Sequence, residues 1–321
     1  MISTFLLSII FFFLTCLSAT ASDFRLAFPV DCILGEDCII QNYVDVDAGE
    51  EWHDYNCGFL TYDGHKGTDI RIQHYQAMNK GVAVRAASDG VVLGIRNNVD
   101  DRKTDEAYTD YLKSVSGKEC GNGLVVVHDD NYQTQYCHMR KGSVAVKVGA
   151  RVKEGDFLGY IGLSGKTQFP HLHISLRLHK KVISPFVGTC STAGQYLWKD
   201  DIPYTDTQLL KLGFADAAPS LDSIEAGTAV TLNKHSAAFL FWANVVGIKK
   251  GDEQEITIIM PDEKILVHKT QIIKKSKVNW LSYVGKKRPG DGWRPGLYRA
   301  VYILKRDGSI LIEKEVQTFI H

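Results

Sequence analysis

The sequence predicts a mostly β protein, with an antiparallel β-sheet domain over residues 57–190 followed by an immunoglobulin-like β-sandwich over 221–321. Three observations carry that prediction. Short β-branched and aromatic runs recur between Gly and Asp turns, which is the pattern of many short strands. After residue 220, strand-like runs with turn signals between them fill a hundred residues, as in a two-sheet sandwich. All seven cysteines lie before residue 191, so the two halves differ in kind. A length of 321 residues also fits two domains.

The chain opens on an apolar run from Phe5 to Leu17, short for a bilayer span but suited to a signal-peptide core. Ala19-Thr20-Ala21 follows with small residues at the cleavage positions. Residues 1–21 are therefore expected to be a signal peptide, and the mature chain to be periplasmic or extracellular. No Lys or Arg precedes the run, which leaves an uncleaved anchor as the alternative. Thr15 argues against lipidation at Cys16. No further transmembrane run follows.

Residues 22–56 read as a polar N-terminal strap. Cys16 leaves with the signal, and six cysteines remain: Cys32, Cys38, Cys57, Cys120, Cys137 and Cys190. An even count in an exported chain favours disulfides, and Cys32 with Cys38 suits a local loop. The strands expected next are Val82–Ala87 and Val91–Ile95, joined as a hairpin by Asp89-Gly90. Leu124–His128, Thr134–Met139, Val144–Gly149, Phe157–Gly162 and Leu172–Leu178 complete the set. A charged insert between Asn97 and Gly121 suits either a short helix or a flexible flap. Residues 191–220 read as a connector, with a short helix possible over Asp206–Phe214. In the sandwich the expected strands are Ala238–Ala243, Glu255–Met260, Ile265–His268, Gly296–Leu304 and Ser309–Phe319, the last two joined by Asp307-Gly308.

Charge sets limits on partners. Lysine plus arginine number 37, as do aspartate plus glutamate, so no global field draws nucleic acid or an anionic membrane. Oligomeric state is not legible.

The chemistry-bearing residues cluster. His171 and His173 are two apart on an expected strand, so both imidazoles point to one side while Leu172 and Ile174 face the core. Imidazole and carboxylate suit zinc, and catalytic zinc keeps three protein ligands and an open water position. His65 and Asp69 add a nitrogen and an oxygen donor, with Gly67 permitting a tight path between them. Cys137, beside His138, points to the opposite strand face and suits a disulfide or packing role. The other histidines, His128 among them, read as surface groups or as supports around the site.

Six ordered blocks resemble the lysostaphin-type zinc endopeptidases, also called LytM-domain metallopeptidases. They are Gly64-His65-x-Gly67-x-Asp69-Ile70, Val84-x-Ala86-Ala87-x-Asp89-Gly90-x-Val92, Gly121-Asn122-x-Leu124-x-Val126-x-His128, Tyr136-x-His138, the glycine-rich run from Gly149 to Gly165, and Pro170-His171-Leu172-His173. The resemblance covers roughly residues 58–186. It implies a LytM-type catalytic domain in which His65, Asp69 and His173 bind Zn2+ and His138 and His171 line the metal water. It also implies hydrolysis of peptide cross-links in peptidoglycan, with peptidoglycan peptide as partner. His138 would stabilise the oxyanion and His171 would orient or deprotonate the water; the sequence does not settle that division. Three departures bear on substrate choice: Lys166-Thr167-Gln168-Phe169 is bulkier than the usual stretch before Pro-His, Ile174-Ser175 replaces the usual aromatic and acid, and the charged 97–121 insert is longer than the usual short loop. The competing reading is a non-catalytic binding module that regulates another wall hydrolase.

Overall fold

The computed structural model describes residues 24–102, 108–190, 194–227 and 230–321. The expected signal peptide and Cys16 lie outside the described residues.

The first body holds ten strands: β1 (Cys38–Asn42), β2 (Thr68–Ile72), β3 (Ala83–Arg85), β4 (Gly90–Arg96), β5 (Asn122–Val127), β6 (Tyr132–Met139), β7 (Arg151–Val152), β8 (Phe157–Tyr160), β9 (His171–Leu178) and β10 (Lys181–Ile183). The main sheet runs β1-β2-β9-β6-β5-β4-β7, with β10 on β9 and every pair antiparallel. A separate ribbon pairs β3 with β8. Two helices, α1 (Tyr75–Lys80) and α2 (Tyr108–Ser114), interrupt the strands. The second lies in the charged insert, which is thus helical in part. Ile70, Val84, Val126, Leu158, Ile161 and Leu172 are fully buried and form the core.

Two expectations for this body change. Asp89-Gly90 closes no hairpin, because β3 pairs β8 while β4 pairs β5 and β7. The Asp89 carboxylate instead accepts the Glu154 N–H at 2.9 Å and pairs with Lys153 at 2.6 Å. A Cβ on Gly90 would lie 2.5 Å from Val126 Cγ1 and from the Val127 carbonyl, so glycine lets β4 enter the sheet against β5. Val144–Gly149 forms no strand; it runs beside β8, with Ala145 N–H donating to Leu158 O at 2.9 Å.

The strap is part of the sheet, since β1 is its edge strand beside β2. Three disulfides form: Cys32–Cys38, as expected for a local loop, Cys57–Cys190 and Cys120–Cys137. The second ties the segment between β1 and β2 to the end of the first body.

The second body is a two-sheet sandwich. It contains β11 (Gln208–Ala215), α3 (Leu221–Glu225), β12 (Ala238–Ile248), β13 (Glu253–Ile259), β14 (Ile265–Ile272), β15 (Lys277–Lys287), β16 (Gly296–Arg306) and β17 (Ser309–Ile320). One sheet is β11-β12-β15 and the other β14-β13-β16-β17. Inward residues alternate with outward ones, as Tyr298, Ala300, Tyr302 and Leu304 do on β16. Asp307 and Gly308 take φ of 50° and 79°, the left-handed pair that a tight two-residue hairpin needs. Asp206–Phe214 is not helical; from Gln208 it forms β11, whose Leu210 is buried. Leu210 and Val246 of the sandwich share one buried cluster with Ile40 and Ile70 of the first body, so the two bodies pack together. No helix among the described residues is long and apolar enough to cross a membrane.

Candidate metal centre

Three neighbouring strands, β2, β9 and β6, bring the expected site residues together. Asp69 on β2 is the cross-strand partner of His173 on β9, and His173 is the partner of Cys137 on β6. Leu172 and Ile174 are buried below while His171 and His173 stand on the other face, as the strand period requires. His65 reaches the cluster from the turn before β2, where its N–H donates to Tyr62 O at 3.0 Å. A Cβ on Gly67 would lie 2.5 Å from His173 Nε2, so only glycine lets the turn pass this ring.

His138 enters differently. Its φ is 62°, in the left-handed region, and this turns its ring out of the regular strand alternation. Its N–H donates to Cys120 O at 2.8 Å and its carbonyl accepts the Gly162 N–H at 3.0 Å. The Cys120–Cys137 disulfide holds the chain immediately before it.

Each ring has one nitrogen occupied by a fixed partner. His65 Nδ1 donates to Tyr43 O at 2.6 Å, His138 Nδ1 to Ser164 O at 2.8 Å, and His171 Nδ1 to Phe169 O at 2.9 Å. A carbonyl only accepts, so these three rings carry their proton on Nδ1 and present a bare Nε2 to the cluster. His173 is reversed: Nε2 meets Ser175 Oγ at 3.1 Å and Nδ1 faces inward.

The inward atoms converge. His65 Nε2 lies 3.2 Å from Asp69 Oδ1 and 3.2 Å from His173 Nδ1, and His173 Nδ1 lies 2.8 Å from Asp69 Oδ1. His171 Nε2 is 3.4 Å from the same carboxylate oxygen. The His138 and His171 ring centres are 4.7 Å apart. Three donors on a tetrahedral ion at ~2.1 Å stand roughly 3.4 Å apart, close to the spacing found. His65, Asp69 and His173 could therefore hold a metal ion, as could His138, His171 and His173. The geometric grouping of Cys32, Asp37 and Cys38 is different, because its sulfurs are joined in a disulfide.

Burial pushes the His65 ring down, but Asp69 outweighs it and raises the ring above its ordinary value, so with no metal bound this pair favours a shared proton. Burial pushes the Asp69 carboxyl up, but His65, His171 and His173 outweigh it and hold Asp69 well below the usual carboxylate range. Burial, with His171 and His173 nearby, pushes the His138 ring well below its ordinary value and keeps it neutral. Burial also lowers His173. A cleft of about 770 Å³ opens over the cluster, lined among others by Tyr62, Tyr108, Glu119, Lys166, Phe169 and Arg177.

Comparison with known proteins matches residues 63–185 to the description Peptidase family M23. Residues 63–185 are similar to peptidase family M23. The M23 match contains every residue of the cluster. An uncharacterized metalloprotease of Buchnera aphidicola subsp. Baizongia pistaciae is 31% identical over 38% of this chain and 25% of its own length. Peptidoglycan DD-endopeptidase ShyA of Vibrio cholerae is 32% identical over 35% of this chain and 20% of its own. Glycyl-glycine endopeptidase ALE-1 of Staphylococcus capitis is 35% identical over 30% and 21%. The chain thus spans a quarter or less of the length of these curated relatives.

Some groups around the M23 cluster escaped sequence reading. Tyr43 and Phe169 act through backbone carbonyls, which no side-chain pattern advertises. Ser175, noted only as a departure, supports His173. His128 lies at 6% exposure, away from the cluster, bonded to Asp89 O and Thr134 Oγ1.

Proposed function

We propose that this chain is an exported, zinc-dependent endopeptidase that hydrolyses peptide cross-links of bacterial peptidoglycan. The observation that carries the reading is the convergence of His65 Nε2, Asp69 Oδ1 and His173 Nδ1 within 3.2 Å of one another beside two further bare imidazole nitrogens. Bare imidazole nitrogens and a carboxylate at that spacing repel one another unless a proton or a metal ion lies between them, and two nitrogens and one oxygen converging on one point are a donor set that fits a metal. The M23 match and the endopeptidase relatives support the reaction class. Residues 57–190 would be the endopeptidase domain, with 22–56 as strap; β11 moves the start of the sandwich from 221 back to Gln208 and shortens the expected 191–220 connector to 191–207.

His65, Asp69 and His173 would hold the zinc. When bound there, zinc supplies a Lewis acid and a water of lowered pKa. The chain's own groups do the rest. Tyr43 O and Ser175 Oγ orient the rings of His65 and His173. His171, fixed by Phe169 O, presents a bare Nε2 that takes a proton from the attacking water and returns it to the leaving amine. His138 presents its bare Nε2 to the same space and accepts a hydrogen bond from that water, which orients it. Donation from His138 to the oxyanion would need a second proton on the ring, and its burial opposes that. The tautomer therefore favours water orientation as its role.

Metal analysis of the purified chain tests the reading. About one zinc per chain is expected, and Asp69→Ala should remove it. A wild-type chain that carries no metal after gentle purification yet still binds sacculi would instead be a non-catalytic binding module.

A further inference from the structure

Asp69 and Arg71 are two apart on β2 and share its face. Arg71 is 1% exposed, and its cross-strand partner on β9 is His171. Three segments surround its guanidinium. Nη1 donates to Gln41 Oε1 of the edge strand, and Nη2 donates to Glu225 Oε1 at the end of α3. The Phe169 ring lies beneath it, 4.3 Å from ring centre to Cζ.

Phe169 in turn touches His171. Their ring centres are 4.7 Å apart, and the Phe169 carbonyl is the acceptor that fixes the His171 proton on Nδ1. Thr167 Oγ1 donates to the same carbonyl at 2.9 Å. Arg71 thus clamps the residue that sets the tautomer and orientation of His171. The hydrolytic mechanism has no other use for Arg71.

Arg71 depends on Glu225 for its countercharge. A guanidinium out of water is tolerated only when paired and hydrogen-bonded. Glu225 comes from the sandwich: α3 is the connection between its first two strands. Lys211 on β11 steadies that connection, donating from Nζ to Ile224 O at 3.0 Å. Without Glu225 the guanidinium has reason to leave for solvent, and Phe169 loses its clamp.

We propose that Glu225, carried by the sandwich, is a positioning residue for the cleft: by pairing with Arg71 it fixes Phe169 and, through Phe169, the His171 ring. The inference rests on the reading of His171 as a proton-transfer group. It gives the sandwich a role in catalysis, because among the described residues the carboxylate paired with Arg71 comes from the sandwich.

The test uses the full chain with Glu225→Gln and with Arg71→Met plus Glu225→Met. Each is read by Tm, by kcat and KM on peptidoglycan, and by the ring 15N signals of His171. Glu225→Gln is expected to lower kcat roughly 10- to 100-fold with KM little changed, and to shift the His171 signals. Removing both charges should restore Tm while kcat stays low, because nothing then clamps Phe169. Recovery of both Tm and kcat in the double variant would make the pair purely structural and overturn the proposal, as would a Glu225→Gln chain with wild-type kcat. Should the wild type prove inactive, the endopeptidase reading fails separately. The His171 signals then decide: a shift in Glu225→Gln supports the clamp and unshifted signals overturn it.

Discussion

Asp69 and His173 stand opposite each other across β2 and β9, with Oδ1 and Nδ1 2.8 Å apart. Strand register alone fixes this contact. The remaining donor, His65, comes from a turn, so the site depends on how closely that turn can approach the sheet.

Gly67 sets that approach. Gly67→Ala puts a Cβ 2.5 Å from His173 Nε2 and 2.8 Å from Ile174 O, with backbone on one side and a proposed ligand on the other. Metal affinity should fall at least about tenfold while the β-rich circular dichroism spectrum persists. Competition with a chromogenic chelator measures this, and unchanged affinity would contradict it.

His138 touches none of the three proposed ligand atoms at hydrogen-bonding distance. His138→Ala should therefore keep its metal and lose roughly 10²- to 10⁴-fold in kcat. Metal content and turnover measured on one preparation separate the two effects. Full turnover in the variant would remove His138 from the mechanism.

Most of the strand pattern, the sandwich and the convergence of the five proposed site residues were legible, because side-chain period and ordered motifs live in local sequence. What stayed hidden depends on tertiary partners. Lys277–Lys287 is a strand because it pairs with β12, although its ends are charged and only Ser282 and Val284 are buried. Val82–Ala87 and Val91–Ile95 are apolar runs around Asp-Gly, yet the chain there crosses from the β3–β8 ribbon into the main sheet. Arg71 and Glu225 are 154 positions apart, and no spacing rule joins them.

His128 makes stability pH-dependent away from the site. Burial pushes its ring below the ordinary 6.5. The unfolded chain therefore takes up a proton as pH falls through 6.5 while the folded chain does not. This contribution is complete above 6.5 and shrinks as pH drops, with a slope of up to about 1.4 kcal/mol per pH unit. Urea unfolding between about pH 5 and 7 should show a flatter slope in His128→Gln than in the wild type. Equal slopes would refute the assignment.

Cys57–Cys190 closes a 133-residue separation and restrains the unfolded chain accordingly. Replacing both cysteines by serine should cost roughly 2–5 kcal/mol, read as a lower urea midpoint. An unchanged midpoint would show that the bond contributes little.

The central claim is hydrolysis of peptide cross-links, and mass spectrometry of muropeptides tests it most directly. Sacculi digested with the zinc-loaded chain should lose cross-linked species and gain uncross-linked products carrying one added water per cut. Asp69→Ala should leave the profile as it was. A cross-linked fraction that the wild-type chain, with metal bound, leaves unchanged would contradict the account.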